Sequence, residues 1–107
     1  MGRKIKYTCR AYRWFDKVNG NTYHSVRVTR LRDNKTIVAS CQYGYGDHYR
    51  QTALELMAVN KWLPPKYRER HENGMSKSYL YERENNYPIE WMVTDGLKRD
   101  CVANGIL

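Results

Sequence analysis

The side chains best suited to recognising a partner lie in two segments near the start of the chain: Lys4, Lys6, Arg10 and Tyr12, then Tyr23 and Arg27. Lys and Arg neutralise phosphates, and flat phenol rings stack on exposed bases, a sequence-tolerant mode worth about 1–3 kcal/mol per stacked base. The charge distribution agrees. Residues 1–50 hold eleven Lys and Arg against three acids, whereas residues 51–107 hold eight of each, so the whole net charge of +8 belongs to the first half. Six of the ten tyrosines share that half. The outward positions of any antiparallel strand carry polar residues. A surface that served only solubility would mix its signs, however, so the segregation points to a polyanionic partner.

Other chemistries lack the spacing they need. Gly44-Tyr45-Gly46 ahead of a helix start would expose N–H groups to an anion. The Gly-Lys-Ser/Thr ending of a P-loop is missing, and Asp47 as an N-cap would fill those N–H groups itself. Glycine turn and cap are therefore expected there. Cys9, His24, Cys41 and His48 have no short zinc spacing. Pairing Cys41 with His48, or Cys101 with His71, has only residue type in its favour. The later acids Glu82, Glu84, Glu90, Asp95 and Asp100 read as a solvated face, not a Mg²⁺ site. Trp14-Phe15 and Trp62-Leu63 read as core or core-edge aromatics. The residues thus predict a binding protein and not an enzyme, with no catalytic residue, no metal and no cofactor.

The elements that position the basic segments follow from periodicity. At 107 residues and 12.8 kDa the chain is read as a single domain, 1–107, with one modest core. Ile5, Tyr7, Cys9 and Ala11 alternate with Lys4, Lys6, Thr8, Arg10 and Tyr12, predicting a half-buried strand over 3–13. Asn19-Gly20 and Asp33-Asn34 mark tight turns on either side of a second strand, Thr22 to Leu31, with Val26 and Val28 inward. A third strand, Thr36 to Tyr43, should turn Ile37, Ala39, Cys41 and Tyr43 inward. From His48 to about Trp62 a stripe of Tyr49, Ala53, Leu56, Met57 and Asn60, widened by Leu54 and Ala58, predicts an amphipathic helix ended by Pro64-Pro65. Residues 66–78 read as a polar linker. Tyr79-Leu80-Tyr81 and Ile89 to Val93 read as a second hairpin, and Thr94 or Asp95 should cap a short helix closed by Asn104-Gly105. The expected class is α+β: an antiparallel three-stranded meander followed by a helix, then a second hairpin and a short C-terminal helix.

Compartment follows from composition. Mean hydropathy is −0.87, and no apolar run approaches the about 18 residues of a membrane helix. The basic start is followed by no signal-length apolar stretch, and Lys6 breaks the myristoylation pattern. Three cysteines without a close pair read as reduced thiols in small core positions. A cytoplasmic protein with no membrane partner is expected.

Gln42-Tyr43-Gly44-Tyr45-Gly46-Asp47-His48-Tyr49-Arg50-Gln51-Thr52-Ala53 and Glu82-Arg83-Glu84-Asn85-Asn86-Tyr87-Pro88-Ile89 resemble small accessory proteins encoded by phages and prophages. The resemblance implies a compact protein that acts by binding, often on host or defence machinery, in the host cell cytoplasm. Anti-CRISPR proteins are one such class. It brings no catalytic residues. The expected target is nucleic acid or a nucleoprotein complex; the alternative is a host protein, bound by a protein-directed inhibitor of the anti-CRISPR kind. DNA versus RNA and the oligomeric state stay open at this level.

Overall fold

Two side-chain-stapled turns set the first three strands. The Asp16 carboxylate accepts from the Val18 N–H (3.0 Å) and the Asn19 side-chain amide (2.8 Å), and Gly20 takes a φ of +70°. At the next turn Asp33 accepts from the Lys35 N–H (3.3 Å) while Asn34 adopts a φ of 56°. Asn and Gly tolerate this left-handed region, which closes a tight reversal. These turns join β1 (Tyr7–Asp16), β2 (Asn21–Arg30) and β3 (Lys35–Tyr43) into the expected antiparallel meander. The computed structural model describes residues 4–107. Arg3, which the alternation includes in the first strand, lies outside the described residues.

The remaining elements are α1 (His48–Val59), α2 (Pro65–Arg68), a 3₁₀ turn (Lys77–Leu80), α3 (Tyr81–Glu84), β4 (Ile89–Asp95) and α4 (Lys98–Asn104). Cys9, Ala11, Val26, Val28 and Ile89 of the sheet close on Tyr49, Ala53, Leu54, Met57 and Ala58 of α1. Of the expected stripe, Asn60 is exposed at the helix end and Leu56 is half-buried. The class is α+β. The second hairpin is not formed: Tyr79-Leu80-Tyr81 is helical, and β4 pairs parallel to β1, giving the order β3-β2-β1-β4. A meander leaves one edge of β1 with unpaired backbone groups, and β4 fills it. A period-two pattern reports burial, which is the same whichever way a strand runs.

Three local expectations also change. Opposite His24 and Val26 stand Gln42 and Ala39, so β3 carries one extra residue. Such a bulge reverses which face later residues take. Cys41 therefore contacts Cys101 of α4 (Sγ–Sγ 3.3 Å), and Tyr43 meets Tyr23 edge-on; neither points into the α1 core. Asp47 occupies the N-cap position, but its carboxylate makes no capping bond among the described residues. At the second helix start Thr94 and Asp95 belong to β4, and Leu97 takes the N-cap position.

The polar segment 66–78 is ordered by one ring. Tyr67 is buried, packs edge-on against Tyr81 (5.3 Å) and donates to Glu84 Oε1 (2.9 Å). Beyond it Arg70 and Ser76 form a bridge around a turn closed by the His71 N–H to Met75 O bond (2.8 Å). One aromatic anchor in thirteen residues has no period, so periodicity does not find it.

Candidate nucleic-acid interface

The six candidate residues fall into three neighbourhoods along the sheet. Lys4 and Lys6 precede β1 at the end of the sheet where β2 finishes: the Leu31 N–H donates to Lys6 O (3.0 Å). Arg10, Tyr12 and Arg27 lie mid-sheet, with Arg10 opposite Arg27. Tyr23 lies near the far end, stacked on Trp14 (5.3 Å, 24°). From Lys6 to Tyr12 is six residues, roughly 20 Å of strand. The alternation places all six on one open face, and the fold does not keep them together.

Mid-sheet, α4 covers the face that the polar alternation presents as open. Ser25 Oγ donates to Cys101 O (2.5 Å), and the Asn104 amide donates to Arg10 O (3.0 Å). Arg27 donates to Ile106 O (2.6 Å) and Asn104 O (3.4 Å), so its guanidinium holds the chain end. Helix C-termini leave carbonyls without intrahelical partners, and a cation meets that need. Ser25 is consequently buried. Arg10 stays exposed beside Tyr12 in a shallow hollow of about 320 Å³ that also has Asp100 in its wall. Gly105 makes the docking close: a Cβ there would sit 2.8 Å from Ser40 Cα and 2.9 Å from Ala39 O.

Around Tyr23 a row of rings runs Trp14, Tyr23, Tyr43, with Lys98 over Trp14 at 5.4 Å. Tyr43 is 59% exposed and provides an open ring.

Unpaired charge gathers at the Lys4–Lys6 end. A pocket of about 820 Å³ is lined by Lys4, Lys6, Arg30, Arg32, Lys61 and Arg68, and no acid lines it. Arg30 is bound by Asp33 (2.8 Å), and that partner holds the Asp33 carboxyl down to about 2. The other five cations have no ion pair among the described residues. The back wall is aromatic: Trp62 stacks on Tyr7 (6.0 Å), Tyr81 meets Tyr7 edge-on, and the Arg30 guanidinium lies 4.5 Å from the Trp62 ring centre. Neither Lys61 nor Arg68 carries a local signal, because both lie in the charge-balanced half and only the fold brings them to Lys4 and Lys6.

Groups with catalytic residue types are separated. His24 and His48 face one another (5.2 Å) over α1, whereas Cys41 and Cys101 meet under α4. Among the described residues no three His, Cys, Asp or Glu side chains gather as a metal site. Burial pushes the Cys9 thiol up to about 12 and raises Cys101 as well, keeping both protonated and unreactive at neutral pH. None of the described helices is long and apolar enough to cross a membrane.

His24 links the glycine turn to α1. It donates from Nδ1 to Gly44 O (3.1 Å), a carbonyl that can only accept, so Nε2 accepts from the Thr52 hydroxyl (2.7 Å). Gly44 has to be glycine: a Cβ would lie 2.6 Å from His24 Cε1 and 2.8 Å from His48 Cγ. Burial lowers the His24 pKa below its ordinary 6.5, and the neighbouring His48 adds to this. Folding therefore favours the neutral ring. Stability should be full above pH 6.5 and be lost as pH falls from there towards the lower folded value. Urea unfolding at stepped pH should show this loss in the wild type and a flatter profile in His24→Gln. Equal slopes in the two proteins would remove His24 as the cause.

Set against protein-family models, curated proteins and solved structures, the chain matches none.

Proposed function

We propose that this chain is a small non-enzymatic binding protein that acts on nucleic acid or a nucleoprotein complex, in the manner of a phage accessory protein working in the host cytoplasm. One observation carries the reading: five cations that have no ion pair among the described residues line a single pocket with no described acid in its wall. Cations elsewhere are of both kinds: Arg13, Lys66 and Arg70 are paired with acids, while Arg10, Arg50 and Lys98 have no ion pair among the described residues. What sets the pocket apart is the gathering of such cations around one concavity. Uncompensated cations around a concavity raise the local positive potential and attract a polyanion. Arg10 and Tyr12 form a separate neighbourhood mid-sheet, and the Trp14–Tyr23–Tyr43 row offers the open Tyr43 ring to unpaired bases.

Binding of a generic single-stranded oligonucleotide should weaken with salt, with a log–log slope of about −0.7 per neutralised phosphate. Titration from about 50 mM salt upwards checks this, and no binding at the lowest salt sinks the reading.

A protein-directed inhibitor is the second reading, favoured by the exposed cluster of Val59, Met75 and Tyr79 beside α1. There Tyr79 would act as the desolvated anchor and the cations would mainly speed encounter. Tyr67 and Tyr81 cannot serve as anchors, because both are buried in the core.

A further inference from the structure

We infer that the pocket walled by Lys4–Lys6, Arg30–Arg32 and the Lys61–Arg68 segment receives a terminal phosphate, either a phosphomonoester or a polyphosphate. The group could be carried on the end of a nucleic-acid strand or on a free nucleotide. Only the first of these sources rests on the nucleic-acid reading.

Arg68 supplies the most specific observation. Its Nε is buried and has no hydrogen-bond partner among the described residues. Buried donors are almost always satisfied, and an orphan in a native fold calls for an acceptor. Arg68 is one of the residues that line the pocket. A charged donor is best matched by an anionic oxygen, and guanidinium geometry suits phosphate.

Charge count favours a terminal phosphate over a single internal one. An internal diester brings one negative charge, whereas a terminal phosphate carries about 1.5–2 near neutral pH. Lys4, Lys6, Arg32, Lys61 and Arg68 together exceed what one diester needs. Ring stacking is not the pocket's main offer, since Trp62 is already stacked on Tyr7 and carries Arg30 over its ring. Arg30 itself is neutralised by Asp33, so it shapes the wall while the other five cations supply the field. Consecutive prolines, Pro64 and Pro65, form part of the rim and restrict the backbone between Lys61 and Arg68. A volume of about 820 Å³ leaves room for a nucleotide behind its phosphate.

The test compares one oligonucleotide sequence with a 5′-phosphate, a 3′-phosphate or hydroxyl ends, together with inorganic pyrophosphate and ADP as free sources. Binding is measured to the wild type, Arg68→Gln, Lys61→Gln and, as a control outside the pocket, Arg83→Gln. One phosphorylated strand should bind at least about tenfold tighter than its hydroxyl twin. Arg68→Gln and Lys61→Gln should lose that difference, and Arg83→Gln should keep it. Lys61 is exposed, so its variant reports even if Arg68→Gln folds poorly. A difference that persists in both pocket variants overturns the inference. So does equal affinity for all strands with no binding of pyrophosphate or ADP, a result that leaves the nucleic-acid reading standing. If no strand binds but pyrophosphate or ADP binds the wild type and not Lys61→Gln, the pocket is a free-nucleotide site and the nucleic-acid reading falls. If nothing binds, both fall.

Discussion

Changing Lys6, Arg32 and Lys61 together to Gln should weaken binding of a single-stranded oligonucleotide about a hundredfold at low salt. The three residues come from the approach to β1, the β2–β3 turn and the turn that follows α1, and line one pocket with no described acid in its wall. Each has no ion pair among the described residues, so its removal leaves no acid uncompensated and little stability is at stake. The log–log salt slope should also flatten, by about 2 where each cation neutralises its own phosphate and by less where the three share one terminal phosphate. Removing Tyr79 and Tyr87, both exposed in the second half, should leave nucleic-acid affinity almost unchanged. Fluorescence anisotropy across a salt series measures both quantities. A triple variant that binds like the wild type, with Tyr79→Ala abolishing capture of a protein partner, would reverse the order of the two functional readings.

The second large effect is on the fold. Gly105→Ala should destabilise the protein by about 1–3 kcal/mol, the usual range for overpacking a closed site. The new methyl carbon would sit 2.8 Å from Ser40 Cα and 3.1 Å from Ser25 Cβ, the first a backbone atom that cannot swing aside. Gly105 itself has a φ of −90°, so the cost comes from contact and not from backbone strain. Relief requires α4 to lift from the sheet, weakening the Ser25–Cys101 and Arg27–Ile106 bonds together. Melting temperature should fall by about 4–8 °C per kcal/mol for a chain of this size. Cys101, buried in the wild type, should become accessible to a thiol reagent, so two readouts report the same event. An unchanged melting temperature and a still-protected thiol would mean that the helix does not depend on this close approach.

What could be read from residue order alone was whatever local chemistry dictates. Asn19-Gly20 and Asp33-Asn34 place the first two reversals because few other residues accept positive φ so cheaply. Period two along Tyr7, Cys9 and Ala11, and along Val26 and Val28, marks the buried face of β1 and β2. The stripe Tyr49, Ala53, Met57 marks that of α1. Each of these signals is complete within about a dozen residues.

Only the tertiary structure decided the features that join distant segments. The parallel direction of β4 depends on which edge of β1 lacks a partner, and strand patterning does not encode that. One extra residue in β3 sends Cys41 and Tyr43 to the opposite face, and a bulge leaves the residue types of a strand unaltered. The polar alternation of β1 and β2 correctly described a face outside the main core. It could not show that α4 would cover that face through Ser25, Arg27 and Asn104, because polar anchoring leaves no apolar signature. The basic pocket is the clearest case. Charge counting balances the second half to zero, yet among the described residues Lys66 and Arg70 pair with acids while Lys61 and Arg68 do not. Which cations remain unmatched depends on which acids the fold brings within reach, and that is settled by three-dimensional neighbours and not by sequence order.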